Sequence, residues 1–159
     1  MTLLKTRKQY GVSQAQAAAI VSVPLRTYIR YERDESHGSK LKRSMMVQTI
    51  IDAYEITETK GILTLDAIKT SLCNLFDGQF PGKIEFCYLF GSYTKGYATA
   101  SSDVDLCVAT SLSGLDFVGL SESIRIALHK RVDVIRLDTL SKNMELLYEI
   151  MKDGIKIYG

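Results

Sequence analysis

The chain has 159 residues, 46% of them hydrophobic, with 20 Lys and Arg against 18 Asp and Glu, material for one modest core or two small ones joined by a linker. No apolar stretch approaches the roughly 18 residues of a membrane span, and the opening MTLLKTRKQYG lacks the apolar run of a secretory signal, so a cytoplasmic protein without a membrane partner is expected. Three cysteines, Cys73, Cys87 and Cys107, with no Cys-x-x-Cys spacing and only two histidines in the chain, argue against zinc and disulfides and for reduced, buried thiols.

The near-neutral total hides an asymmetry: residues 1–56 carry nine Lys or Arg against five Asp or Glu, and residues 57–159 carry eleven against thirteen. A small basic domain joined to an acidic one is expected. In the basic part, Leu3 to Gln9 predicts a first helix, Gly11 its stop, Ser13 an N-cap for a second helix over Gln14 to Val21, Ser22-Val23-Pro24 a tight turn, and Leu25 to Tyr31 a third helix opened by proline. Ala18, Val23, Tyr28 and Tyr31 are the apolar points of a helix-turn-helix. The string SQAQAAAIVSVPLRTYIRYE resembles the lambda-repressor-like, or XRE-type, DNA-binding domain, with Ala17 where leucine is usual and Ser22 where glycine is usual.

On that reading Arg26 and Arg30, four apart on one helical face, enter a major groove, and Gln14 contacts a phosphate. The excess of four positive charges is a modest electrostatic footprint, so dimerisation would be needed for firm DNA binding. A protein-docking bundle with solvated arginines is the alternative. Asp34 to Lys42 reads as a loop, and Met45 to Tyr54 resumes helical spacing, with Met46, Ile50 and Tyr54 on one face. The first domain is therefore expected over 1–56, with the junction near Ile56 to Gly61.

In the second domain, 57–159, Leu65 to Leu75 predicts a helix and Ile84 to Phe90 a strand, which runs into GSYTKGYATASSDVD, Gly91 to Asp105. Asp103 to Val108 is the next strand. Alternate strand residues share a face, so Asp103 and Asp105 project side by side with Val104 turned inward. Two such carboxylates repel each other and resist burial, but they suit a hard cation such as magnesium. Gly91 lets backbone approach a ligand, Ser92 offers a hydroxyl and can cap the following turn, and Lys95 and Gly96 follow within one turn. Phosphate groups beside paired carboxylates is the arrangement of two-metal nucleotidyl transfer.

Leu89-Phe90-Gly91-Ser92, Lys95-Gly96 and Ser102-Asp103-Val104-Asp105-Leu106 resemble the signature of the DNA polymerase beta-like nucleotidyltransferases, specifically the minimal nucleotidyltransferases that are antitoxins to HEPN ribonuclease toxins. The resemblance covers roughly Leu63 to Gly159. It implies a third carboxylate on a later strand, for which Asp133 in Arg131-Val132-Asp133-Val134-Ile135 is the candidate, and a last helix and strand over Leu146 to Tyr158. It further implies transfer of AMP from ATP to a tyrosine hydroxyl of a cognate HEPN toxin, with Asp103 and Asp105 holding two Mg2+ ions, Asp133 joining the ion that activates the acceptor, and Gly91, Ser92 and Lys95 holding the triphosphate.

The expected fold is α+β: an all-α helix-turn-helix domain followed by a small mixed-sheet nucleotidyltransferase domain, acting alone, as a homo-oligomer or with the toxin as a hetero-oligomer. His129 is expected at a solvated helix end. Two rivals remain at this level: a small-molecule nucleotidyltransferase of the aminoglycoside-modifying kind, and a non-enzymatic DNA-binding regulator that only sequesters a toxin.

Overall fold

Thr2 and Ser13 open the first two helices of the computed structural model, which describes residues 1–159, by the same local device. The Thr2 hydroxyl accepts from the Lys5 amide at the start of α1 (Leu3–Gln9). Ser13 accepts from Gln16 while the Gln16 side chain accepts from the Ser13 amide, a reciprocal capping box on α2 (Gln14–Ile20). Pro24 then sets up α3 (Leu25–Arg33). The turn between them carries Ser22 at φ +53°, a left-handed conformation that glycine adopts at less cost. This is the position at which the sequence departs from glycine.

The chain divides into two units, Met1–Glu55 and Ile56–Gly159. In the first, Leu3, Val12, Ala17, Ala18, Tyr28 and Tyr31 close a core against Met46 and Ile50 of α4 (Lys40–Tyr54). Ala17, the small residue in place of leucine, is fully buried. Boundaries differ from the sequence expectation: α2 ends at Ile20 rather than Val21, and the unit ends at Glu55 rather than residue 56. Helix α3 runs two residues past Tyr31, and α4 begins at Lys40, five residues before Met45. Arg43 donates to the carbonyls of Asp34 at 3.0 Å and His37 at 2.6 Å, tying the loop onto the first turns of α4, whose Lys- and Arg-rich sequence shows no apolar spacing.

The second unit opens with α5 (Leu65–Gln79), capped by Thr64. It continues through β1 (Ile84–Phe90), the short α6 (Ser92–Lys95), β2 (Val104–Thr110), α7 (Gly114–Leu128), β3 (Val132–Arg136), a 3-10 segment over Leu137–Lys142, α8 (Met144–Asp153) and β4 (Ile155–Tyr158). Sheet order is β3-β2-β1-β4, with β1 antiparallel to β2 and β4, and β2 parallel to β3 through the crossover helix α7. No helix is long and apolar enough to cross a membrane.

Ile68, Leu72 and Phe76 of α5 and Leu120, Ile124 and Leu128 of α7 bury one sheet face, meeting Cys87, Leu89, Val104, Leu106 and Val108. On the other face, Phe90 and Cys107 lie under Leu140 and Ile150. Covering on both sides explains why β2 is buried almost throughout. All three cysteines are free thiols, but Cys73 is only half-buried, its Sγ 3.4 Å from the Ile157 carbonyl, which corrects the expectation that all three are enclosed. His129 ends α7 as an exposed residue at φ +52°.

Candidate active site

The turn from β1 into α6 is built around Gly91, at φ +74°. A Cβ at this position would lie 2.1 Å from Oδ2 of Asp105, so the glycine is required twice, by backbone conformation and by the carboxylate packed against it. Gly91 itself occupies the N-cap of α6, and Ser92 is its first helical residue, so the expected capping by Ser92 is not the arrangement found. The Thr94 hydroxyl donates to the Gly91 carbonyl at 2.9 Å, and Gly96, left-handed at φ +80°, ends the turn.

Asp103 lies one residue ahead of β2 rather than within it; Val104 is fully buried, and Asp105 shares the opposite face of the sheet with Cys107. The parallel register sets Asp133 of β3 directly beside Asp105. Burial, then the neighbouring charges of Asp133, Asp103 and Glu149, push the Asp105 carboxyl up to about 6. The cost of ionising Asp105 is what a multivalent cation would relieve, and the donors are hard oxygens of the kind magnesium takes. No three His, Cys, Asp or Glu side chains stand close enough together to hold an ion as they are. Asp103 instead pairs with Arg131, Nε to Oδ1 at 3.0 Å.

Lys95 extends from the end of α6 to an ion pair with Glu149 of α8, which holds its ammonium above the usual lysine range. Two residues near the site carried no sequence signal. Glu149 is brought to the carboxylates only by the packing of α8, and Lys130, in a His-Lys-Arg run that reads as an ordinary basic helix end, is fully buried. Of the other expected site residues, Arg26 and Arg30 are exposed on α3, whereas the Gln14 amide donates to Glu32 at 3.0 Å and is engaged in the first unit's own polar network.

Residues 71–159 match the family described as polymerase beta, nucleotidyltransferase. The chain belongs to this family. As a polymerase beta-type nucleotidyltransferase it is 30% identical to the protein adenylyltransferase MntA of Shewanella oneidensis over 79 residues, which make up 48% of this chain and 55% of that protein. The chain thus spans about half the length of the curated relative it matches. Among solved structures, a toxin-antitoxin crystal structure with AMP-PNP is 27% identical, covering 57% of this chain and 73% of the other at a TM-score of 0.49. A complex of tri-AMPylated Shewanella oneidensis HEPN toxin with MNT antitoxin is 24% identical, covering 59% and 71% at a TM-score of 0.45. In this nucleotidyltransferase the family match takes in all four strands and each of Gly91, Ser92, Asp103, Asp105 and Asp133.

Proposed function

We propose that the second unit, Ile56–Gly159, transfers AMP from ATP to a hydroxyl of a partner protein, and that the partner is a HEPN-type ribonuclease whose tyrosine is the acceptor. The observation that carries the reading is the pairing of Asp105 with Asp133 on adjacent parallel strands, beside a left-handed glycine packed against the Asp105 carboxylate. The similarity to a protein adenylyltransferase over the same region supports the choice of AMP.

Asp103 and Asp105 would hold two Mg2+ ions, with Asp133 on the acceptor side, and the bound metal would supply charge neutralisation and a more acidic acceptor hydroxyl. This chain's own residues do the rest. Gly91 leaves room for the Asp105 carboxylate against the backbone, Ser92 would offer its hydroxyl to the phosphates, and Lys95 would exchange Glu149 for the triphosphate. Arg131, which pairs with Asp103, would have to give up that contact for Asp103 to serve as a ligand. Crowding of the carboxylates disfavours full ionisation without a cation and thereby couples the site to its charged ligand. The reaction is tested with the chain and its genomic neighbour: the partner should gain about 329 Da per AMP transferred. An unmodified partner after incubation with Mg2+ and ATP, in a complex that forms normally, would leave sequestration as the function.

We also propose that residues 1–56 form a DNA-binding helix-turn-helix through which a cytoplasmic antitoxin regulates its own promoter. The tight left-handed turn at Ser22 between α2 and α3 and the exposed Arg26 and Arg30 on α3 are the features that support this reading. Alanine at either arginine should weaken binding to the promoter by about 1–3 kcal/mol and to random DNA by much less. Equal losses on both would reduce the arginines to phosphate contacts.

A further inference from the structure

Lys130 has no exposed surface and is the one lysine in the buried core. Its ammonium donates to three backbone carbonyls, those of Ala100 at 2.6 Å, Gly61 at 2.7 Å and Lys60 at 3.1 Å. An ammonium has three N–H donors, and here each has an acceptor, which is the condition under which a buried charge is tolerated. Burial lowers its affinity for a proton, yet loss of that proton would leave one of the three carbonyls without a donor.

The position of those carbonyls gives the arrangement its meaning. Ala100 lies in the connection that delivers Asp103, and Lys130 lies three residues before Asp133. Its neighbour Arg131 continues the same seam: its side chain holds the Ser101 carbonyl at 3.1 Å and the Asp103 carboxylate at 3.0 Å, and its own carbonyl accepts from the Val104 amide at 2.9 Å. Residues 130–131 are thus fastened to residues 100–104 at successive points, with Lys130 the only charged side chain among them that is wholly buried. Arg131 must let go of Asp103 for a metal to bind there, whereas Lys130 touches no carboxylate and stays.

We propose that Lys130 is a positioning residue: a built-in cation that clamps the 97–103 connection and the Lys60-Gly61 turn to the start of β3, and so sets the spacing of Asp103 and Asp105 from Asp133. The proposal rests on the nucleotidyl-transfer reading for its consequence but not for its geometry. It predicts that removing the ammonium loosens the connection and weakens cation binding even though no ligand is changed.

The test uses the full chain with Mn2+ as probe. In Lys130→Met, amides of residues 99–103 should exchange with solvent about tenfold faster, and Mn2+ affinity measured by electron paramagnetic resonance should fall by about tenfold, the loss typical of a residue behind the ligands. Exchange in the strands should stay slow. Lys130→Arg keeps the charge but cannot aim three donors in the same way, so it should fall between the two. A folded Lys130→Met with unchanged exchange at 99–103 overturns the clamp. If that variant does not fold, Lys130→Arg decides by the same two readings, and failure of both to fold makes Lys130 a general core residue and equally overturns the assignment. Should wild type bind no Mn2+, it is the metal reading that fails, and the exchange measurement still decides the clamp.

Discussion

Glu32 in the first unit and Asp105 in the second are both carboxylates withdrawn from water, yet their surroundings are opposite in sign. Arg7 meets Glu32 through two bonds of 2.8 and 2.9 Å and Gln14 adds a third at 3.0 Å, so the Arg7 bonds hold the Glu32 carboxyl below its ordinary range. Asp105 has Asp133, Asp103 and Glu149 around it and is pushed up to about 6. A matched buried charge is architecture. Asp105 itself has no cationic partner, and like charges around an unpaired carboxylate are a feature that folding alone has no use for.

The strongest way to break this contrast is Asp103→Asn with Asp105→Asn. If the cluster serves catalysis, AMP transfer should fall by about a thousandfold or more while thermal stability is unchanged or higher. A folded double variant that labels its partner at the wild-type rate would end the enzymatic reading. The converse change in the first unit, Glu32→Ala, should cost about 2–4 kcal/mol in chemical denaturation, since it strands Arg7 in a site where its side chain is 16% exposed. A loss below about 0.5 kcal/mol would demote the network to a surface pair.

Gly91→Ala tests the point at which backbone and carboxylate meet. The added methyl contends with Asp105 and with a positive φ, so about 1–3 kcal/mol of stability should be lost and ATP binding weakened in isothermal titration. Unimpaired nucleotide binding would mean that phosphate does not approach this glycine.

The smallest effect is the most diagnostic, because the two carboxylates respond to pH with opposite slopes. Glu32 has a folded-state affinity for protons below that of the unfolded chain, so its contribution is present above the ordinary glutamate range and is lost as pH falls through its lowered value. Asp105 has a raised one, so stability declines as pH rises from about 4 to about 6, between the unfolded and folded values. Asp105→Asn should therefore stabilise by about 1 kcal/mol at neutral pH and by nothing near pH 4, discounting the shift for partial solvent screening. A gain that is the same at both values would trace to packing rather than charge.

Much of this was legible in the residues alone. The capping serine before α2, the proline before α3 and the strand-turn-strand around Gly91 are local signals, set by which backbone angles and caps a few adjacent residues allow, and they survive without knowledge of the rest of the chain. Strand periodicity turns Val104 inward and Asp105 to the opposite face, whereas Asp103, one residue ahead of β2, is held by Arg131 instead. What surrounds these carboxylates does not follow from local signals. The Asp105–Asp133 register depends on the parallel crossover through α7 that joins Thr110 to Val132, and Glu149 and Lys130 arrive through helix packing and burial. The extra turns of α4 depend on Arg43 reaching back to the preceding loop. Residue order places the chemistry-bearing side chains along the chain; which charges face one another is settled by packing in three dimensions, because electrostatic energy depends on distance and exposure in space, and neither is written in residue order.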